Sequence, residues 1–331
     1  MERRTELIEL AFEQLSALLS VLEPGAKLQA AELLSGGRAN TNYRLTLSDG
    51  GLRVVRLVHR DPVTAGKEAL VLEELAGTLP LPRLLGRAPA GTAGVPAPAL
   101  LLEHLPGLTL EDALLEDHLD ASAARSLGES LGRALAAIHA RRFPSGGDLV
   151  AGADGLEVSA WSFPGEVTGV GSYVSYCLDQ TPAGERLGAL KERVRTYFSA
   201  GLERWPDEGA CLVHGDFKPC NLFVDEVAGS WELSGVLDWE FAHAGSAYSD
   251  YGNLFRRRTP SLPAGFEEAF LVGLAASGVV PPSDWALRRA HLDLTSALEF
   301  LSSEADHPQR HAASLAQVEA TLALPLALEE R

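Results

Sequence analysis

The sequence predicts an α+β protein built as two lobes, a small β-rich one followed by a larger, mainly helical one. Three observations carry this expectation. The chain has 331 residues, too many for one small core and suited to two lobes of ordinary size. Short β-like segments punctuated by turn residues crowd the region up to residue 105, with one helical stretch among them. Beyond residue 106 the apolar residues recur mostly at helical spacing. The lobes are therefore placed at 1–105 and 106–331.

The elements follow in order. Leu7, Leu10, Phe12, Leu15, Leu18, Leu19 and Leu22 lie close to helical spacing and predict an opening helix over 5–22, which Pro24-Gly25 ends. Leu28–Leu34 reads as a strand. Asn42–Leu47 and Leu52–Val58 read as a hairpin, because Ser48-Asp49-Gly50-Gly51 between them is a turn signal. Thr64–Ala76 is helical, Leu79–Leu85 is interrupted by two prolines, and Ala99–Leu102 is a brief strand before the Pro106-Gly107 turn. In the second lobe Leu127, Leu131, Leu135 and Ile138 mark a helix. Residues 144–172, with seven glycines and no clear period, read as a long loop, the place to look for specificity. Helical segments return from Tyr173 to Arg204, a β-hairpin spans Leu222–Leu237, and helices complete the chain.

Composition narrows the function classes. Hydrophobic residues make up 46% and charged residues 22%, as in a folded globular protein. A net charge of −17 argues against nucleic acid as a partner, since phosphate backbones are bound by clustered Lys and Arg. Residues 1–105 hold 11 basic and 12 acidic side chains, leaving 17 and 33 for the remainder. That imbalance keeps the protein soluble and favours a cationic small molecule over an anionic one. Cys177, Cys211 and Cys220 show no CxxC or CxxH spacing, so neither a disulfide framework nor a zinc site is implied. No apolar run suits a signal peptide or a membrane span, and the expected location is the cytoplasm.

The chemistry concentrates in LVHGDFKPCNLFVD, residues 212–225, and in VLDWE, residues 236–240. His214-Gly215-Asp216 followed by Asn221 has the spacing H-x-D-x-x-x-x-N. Phosphoryl transfer needs one carboxylate to orient a hydroxyl and take its proton, and oxygen ligands to hold magnesium against phosphates. Asp216 suits the first task, and Asn221 with Asp238 the second. In HGDFKPCN and LDWE the chain resembles the aminoglycoside phosphotransferase and choline kinase family, small-molecule relatives of the protein kinases, over most of its length. The resemblance implies a bilobal protein-kinase-like fold with ATP bound between the lobes. It implies Asp216 as the catalytic base, Asn221 and Asp238 as Mg2+ ligands, His214 as a support for the loop, and Lys218 as a γ-phosphate contact.

The nucleotide side is carried by the first lobe. In LLSGGRANTNYRLTL glycines at a strand–turn–strand junction let backbone N–H groups approach phosphates, and Gly37 and Asn40 stand at the positions the family's shorter loop uses. Arg56 stands where the family places a nucleotide-anchoring Lys or Arg, and a guanidinium there can grip phosphate oxygens through two parallel hydrogen bonds. Glu68, Leu72 and Leu75 fall at i, i+4 and i+7, so Glu68 lies on an inward helix face and needs a partner, which Arg56 supplies. Glu103, His104 and Leu105 resemble the family's hinge, whose backbone bonds adenine.

The acceptor is a small molecule with a hydroxyl, and the acidic second lobe favours a cationic one. Candidate acceptor residues are Glu240, Asp250, Trp161 and Glu299, with Asp179, Glu304 and Asp306 as further acids and Phe163 and Trp239 as further aromatic surfaces. Asp250, in SAYSDYGNLF, also matches the family's second-lobe aspartate, which braces the catalytic loop or caps the following helix. Two rival readings are a nucleotide-binding regulator without turnover, which intact Asp216, Asn221 and Asp238 argue against, and a metal-dependent hydrolase. The hydrolase would use His214, Asp216, Asp238 and His243, yet the nine histidines show no HxH or HExxH spacing.

Overall fold

The structure is a computed structural model that describes residues 6–34, 40–163, 167–205, 208–256 and 261–325. In chain order its elements are α1 (Phe12–Leu22), β1 (Leu28–Leu34), β2 (Thr41–Leu47), β3 (Leu52–Leu57), α2 (Thr64–Glu74), β4 (Leu84–Ala88), β5 (Ala99–Glu103), β6 (Leu108–Thr109), α3 (Leu110–Leu115), α4 (Ala121–His139), β7 (Arg142–Phe143), β8 (Gly147–Ala151), β9 (Leu156–Ser159), α5 (Val170–Gln180), α6 (Pro182–Leu187), α7 (Lys191–Arg204), β10 (Ala210–Val213), β11 (Leu222–Val227), β12 (Ser230–Val236), β13 (His243–Gly245), α8 (Tyr248–Phe255), α9 (Phe266–Ala276), α10 (Trp285–Leu301) and α11 (Pro308–Leu322). They form two compact units that are not contiguous in sequence. The first takes Met1–Leu110, Val150–Glu157 and Cys220–Glu240, and the second takes Glu111–Leu149, Val158–Pro219 and Phe241–Arg331.

The first unit is built on an antiparallel sheet of order β1-β2-β3-β5-β4. Strand alternation sorts its side chains. Tyr43, Leu45 and Leu47 of β2, Val55 and Leu57 of β3 and Leu101 of β5 share a buried core with Leu15, Leu18, Leu19 and Leu22 of α1. Burying each such leucine contributes roughly 1.5–3 kcal/mol. Arg56, between Val55 and Leu57, faces the opposite side, towards α2. The helix expected over 5–22 begins only at Phe12. Residues 6–11 run outside any helix, because Ile8 N–H donates to Thr41 Oγ1 and Leu10 N–H to the Tyr43 hydroxyl, and these tertiary bonds replace the helical ladder.

A second sheet of the same unit has the order β12-β11-β6. Its hairpin turns through Ala228 and Gly229, both at positive φ (53° and 83°), as a two-residue turn matched to strand twist requires. The ladder opens at the pair Leu222–Val236, and Leu237 N–H donates to the Asn221 carbonyl. Asn221 and Asp238 therefore flank the open end of one hairpin.

In the second unit α5, α6, α7, α10 and α11 enclose a core that includes Val174, Leu178, Phe198, Leu294, Leu298 and Val318. Helices α4 and α9 cross at close range: a Cβ on Gly132 would lie 2.2 Å from the Phe270 carbonyl oxygen. The stretch 144–172, expected as one long loop, instead contains β8 and β9, and β8 pairs with β13 through Asp148–His243 and Gly147–Ala244. Its strand partner lies nearly a hundred residues away, which local composition cannot reveal. Deleting the whole stretch would remove sheet structure together with any specificity element. Cys177, Cys211 and Cys220 are free thiols. Among the described residues no helix is long and apolar enough to cross a membrane.

Candidate active site

The loop after β10 begins with His214, fully buried, and Gly215 at φ 80°. A Cβ on Gly215 would sit 2.4 Å from the Phe241 carbonyl oxygen, so conformation and space both demand glycine there. Asp250, at the start of α8 and fully buried, accepts the N–H groups of His214 and Gly215, each at 2.9 Å, and the Nε2–H of His139 at 3.0 Å. Burial alone would raise the Asp250 carboxyl. The bond and charge of His139, with the His214 contacts, outweigh it and hold the pKa below its ordinary value. One turn along α8, Asn253 Nδ2 donates to the Gly215 carbonyl at 3.0 Å. Arg256 donates to Asn253 Oδ1 at 2.7 Å and forms an ion pair with Asp293 of α10, and Gln317 of α11 donates to Asp293 as well.

These bonds hold the loop that carries Asp216. Asp216 N–H donates to His214 Nδ1 at 3.2 Å, and Lys218 Nζ lies 2.6 Å from Asp216 Oδ2. His214 thus meets the Asp216 backbone from a fully buried position. Lys218 is paired with the carboxylate two residues before it. Arg256 lies close enough for Asp216 to act on its charge, and the carboxylates around Arg256, Asp293 foremost, overcome burial and raise its pKa.

The first unit holds the other cluster. Asp238 has φ 68°, an uncommon conformation for a residue with a side chain, stored where the chain leaves β12. Its Oδ1 accepts from Arg56 Nη2 at 2.6 Å, and Arg56 Nε lies 3.1 Å from Glu68 Oε2 on α2. The Arg56–Glu68 contact is close but misaligned for a hydrogen bond, so its attraction is coulombic. Burial works against the Arg56 cation, but the charges of Glu68, Asp238 and Glu240 win and raise its pKa. The same crowding has the reverse effect on the acids. Burial pushes Glu68 up to about 7 despite Arg56, and burial with the Asp238 charge raises Glu240.

Glu240, expected from the sequence as an acceptor residue, is inside this network. Its carboxylate accepts from Asn40 Nδ2 at 3.1 Å and pairs with Arg60 at 3.3 Å, and its carbonyl accepts from Lys67 Nζ at 2.8 Å. Asn40 in turn accepts the N–H groups of His59 and Arg60 at 3.0 and 3.2 Å, so its side chain braces the strand end after β3. Gly37 lies outside the described residues. At the end of β5, Glu103 N–H donates to the Arg83 carbonyl and its side chain pairs with Arg83. His104 and Leu105 follow outside the ladder, with no backbone hydrogen-bond partner among the described residues. Leu105 packs so tightly over Gly235 of β12 that a Cβ there would meet its Cδ1 at 2.3 Å.

The structure thus brings together Arg56, Glu68, Asn40, Asp238 and Glu240 in the first unit, and His214, Asp216, Lys218 and Asp250 in the second. Asp250 braces the loop and, being fully buried, does not meet an acceptor. Glu299 is exposed on α10, and Trp161 is half-buried beside His243. Trp239 is fully buried core, and Asp179 is committed to Lys191 and Arg195. Sequence reasoning missed Asn253, Arg256, Asp293, Gln317 and His139. Asn253 alone had a local signal, three residues after Asp250 on one helix face.

A model of the phosphotransferase enzyme family matches residues 30–291. A search of curated proteins returned no match. Among solved structures the chain is similar to a macrolide 2′-phosphotransferase from Brachybacterium faecium, at 19% identity and TM-score 0.57, covering 93% of this chain and 98% of that one. It is similar to a fructosamine-3-kinase candidate from Thermobifida fusca at 18% identity and TM-score 0.62, covering 94% and 99%. A ternary complex of streptomycin, ATP and APH(2″)-IIa matches at 12% identity and TM-score 0.58, covering 95% and 97%. At these identities the structures speak for a shared kinase-like fold, while the family model spans most of the chain, including both motifs. The chain therefore belongs to the phosphotransferase enzyme family and is a small-molecule kinase by that membership.

Proposed function

We propose that the protein transfers the terminal phosphoryl group of ATP to a hydroxyl of a small molecule, with Asp216 as the base and Asn221 and Asp238 as Mg2+ ligands. The observation that carries this reading is the chain of contacts Glu68–Arg56–Asp238 in the first unit. Crowding buried carboxylates round one guanidinium costs desolvation that apolar packing would avoid. Such a cluster, with a strained Asp238 at its edge, is what a site for metal and phosphate calls for. Asn221 and Asp238 offer hard oxygen donors from the two sides of one hairpin end, which suits Mg2+. Bound magnesium–ATP would supply the phosphoryl group and neutralise its charge.

The chain's own residues do the rest. Asp216 orients the acceptor hydroxyl and takes its proton as the new O–P bond would form and the bond from the γ-phosphorus to the departing ADP would break. Asp250 and Asn253 hold its loop through three backbone bonds, so little reorganisation is needed. Arg56 offers a planar fork for phosphate oxygens. His104 and Leu105 offer backbone groups for a purine edge.

The test is ATP consumption with magnesium against a panel of amino-alcohols, sugars and amino sugars. Asp216→Asn should lower acceptor-dependent turnover by about 10²–10⁴ while magnesium–ATP still raises the melting temperature. Unchanged turnover in that variant would overturn the role of Asp216.

A further inference from the structure

Residues 6–11, which precede α1, lie against the core face of the first sheet and belong to no helix or strand. Two side chains of β2 hold them. The Tyr43 hydroxyl accepts the Leu10 N–H at 2.8 Å and donates to the Ile8 carbonyl at 2.9 Å, and Thr41 Oγ1 accepts the Ile8 N–H at 3.0 Å. Ile8 and Leu10 are half-buried against the cluster that holds Tyr43, Leu45, Val55 and Leu57. Thr41 is fully buried, and Tyr43 nearly so.

The Thr41 oxygen also reaches the other way. His59 Nε2 stands 3.0 Å from it, within hydrogen-bond distance, and the His59 N–H donates to Asn40 Oδ1 at 3.0 Å. Asn40, next to Thr41 in the chain and 2% exposed, donates in turn to Glu240, two residues beyond Asp238. One line of contacts therefore runs from Ile8 through Thr41, His59 and Asn40 to the turn that carries Asp238. Strand alternation puts Thr41 and Tyr43 on the core face and Asn42, opposite Arg56 in the β2–β3 register, on the other. The segment thus sits on the face away from Arg56, and Thr41 with His59 is its route to the nucleotide side. Chain that lacks a ladder of its own opens at a low free energy, so its docking responds to small changes at the groups that hold it.

We propose that residues 6–11 form a strap that positions the nucleotide side of the first unit, docked by Tyr43 and Thr41 and linked through His59 to Asn40. Thr41, Tyr43 and His59 are positioning residues for nucleotide binding. The coupling is reciprocal: a docked strap strengthens the binding of magnesium–ATP, and magnesium–ATP tightens the strap by the same factor. This assignment rests on the kinase reading above.

Two changes that keep side-chain shape test it. Tyr43→Phe keeps the ring in the core and removes both of its bonds to the strap. Thr41→Val removes the oxygen that meets Ile8 and His59, and Thr41→Ser retains it. Titration calorimetry should show magnesium–ATP bound at least about fivefold more weakly by Tyr43→Phe and Thr41→Val, with Thr41→Ser close to wild type and turnover at saturating magnesium–ATP within about twofold. In wild type, saturating magnesium–ATP should slow amide hydrogen exchange at Ile8 and Leu10, a readout that needs no substitution. Unchanged affinity in both variants, or unchanged exchange at both amides, overturns the strap and leaves the kinase reading standing. Equal losses of affinity in Thr41→Ser and Thr41→Val would trace the effect to packing and overturn it too. Absence of magnesium–ATP binding by folded wild type overturns both readings.

Discussion

Gly215 is where two independent demands meet on one residue: φ of 80° and a backbone carbonyl 2.4 Å from where a Cβ would be. Gly215→Ala should destabilise the protein by at least about 1–2 kcal/mol, the usual strain of a left-handed residue. Urea denaturation would measure this, and acceptor turnover should fall with it because Asp216 follows directly. Glu68 makes a second prediction, of opposite kind. Its carboxyl titrates near 7 in the folded chain and near 4.3 when unfolded, so the folded state holds the extra proton between these values. Stability from this group is present at low pH and is lost as pH rises through about 4.3 to 7. Glu68→Gln should flatten that part of the profile of melting temperature against pH. A slope equal to that of wild type would show that Glu68 does not titrate there. Glu68 was legible in the sequence because helix periodicity turns it inward, and Arg56 was legible through the resemblance to the family. The third member of the contact, Asp238, lies 182 residues beyond Arg56 and entered only with the fold.

At the scale of elements, α8 joins the loop to two further helices. Arg256 donates to Asn253 Oδ1, which leaves the Asn253 amide N–H₂ to face the Gly215 carbonyl. Asp293 on α10 and Gln317 on α11 hold Arg256 in turn. Asn253→Asp would turn a donor into a second acceptor opposite that carbonyl. Turnover should fall about ten- to a hundredfold with the KM for ATP little changed, as small misplacements of a catalytic group cost that much. An equal rise in the KM for ATP would instead point to general unfolding. Elements themselves were unevenly legible. The hairpin Leu222–Leu237 and the helix at 121–139 follow from local patterns, but β8 and β9 do not, because their pairing is decided by β13. The opening helix was read too long because apolar spacing cannot show that Ile8 and Leu10 bond to β2 side chains.

For the whole molecule, the acidic excess lies in residues 106–331. Under the proposed function, magnesium–ATP binds the folded chain alone and stabilises it by about 2.7 kcal/mol at a hundred times its dissociation constant. Wild type should therefore melt at higher temperature with magnesium–ATP than with either component alone. Asp238→Asn keeps a residue that tolerates φ 68° but removes the charge, and it should abolish the magnesium-dependent part of this shift. A full shift in that variant would remove Asp238 from the proposed metal site.

By itself the sequence determined the fold class and the family, because a strand–loop–strand motif with its charged residues at set spacing is local information. Tertiary structure decided which of the carboxylates are free to act. Glu240 and Asp250 look available in the sequence, yet burial and hydrogen bonds commit one to Asn40 and Arg60 and the other to the loop before Asp216. Glu299 stays exposed. Spacing along a chain shows which groups can share a turn, but only packing between distant segments removes a charge from water and gives it a partner.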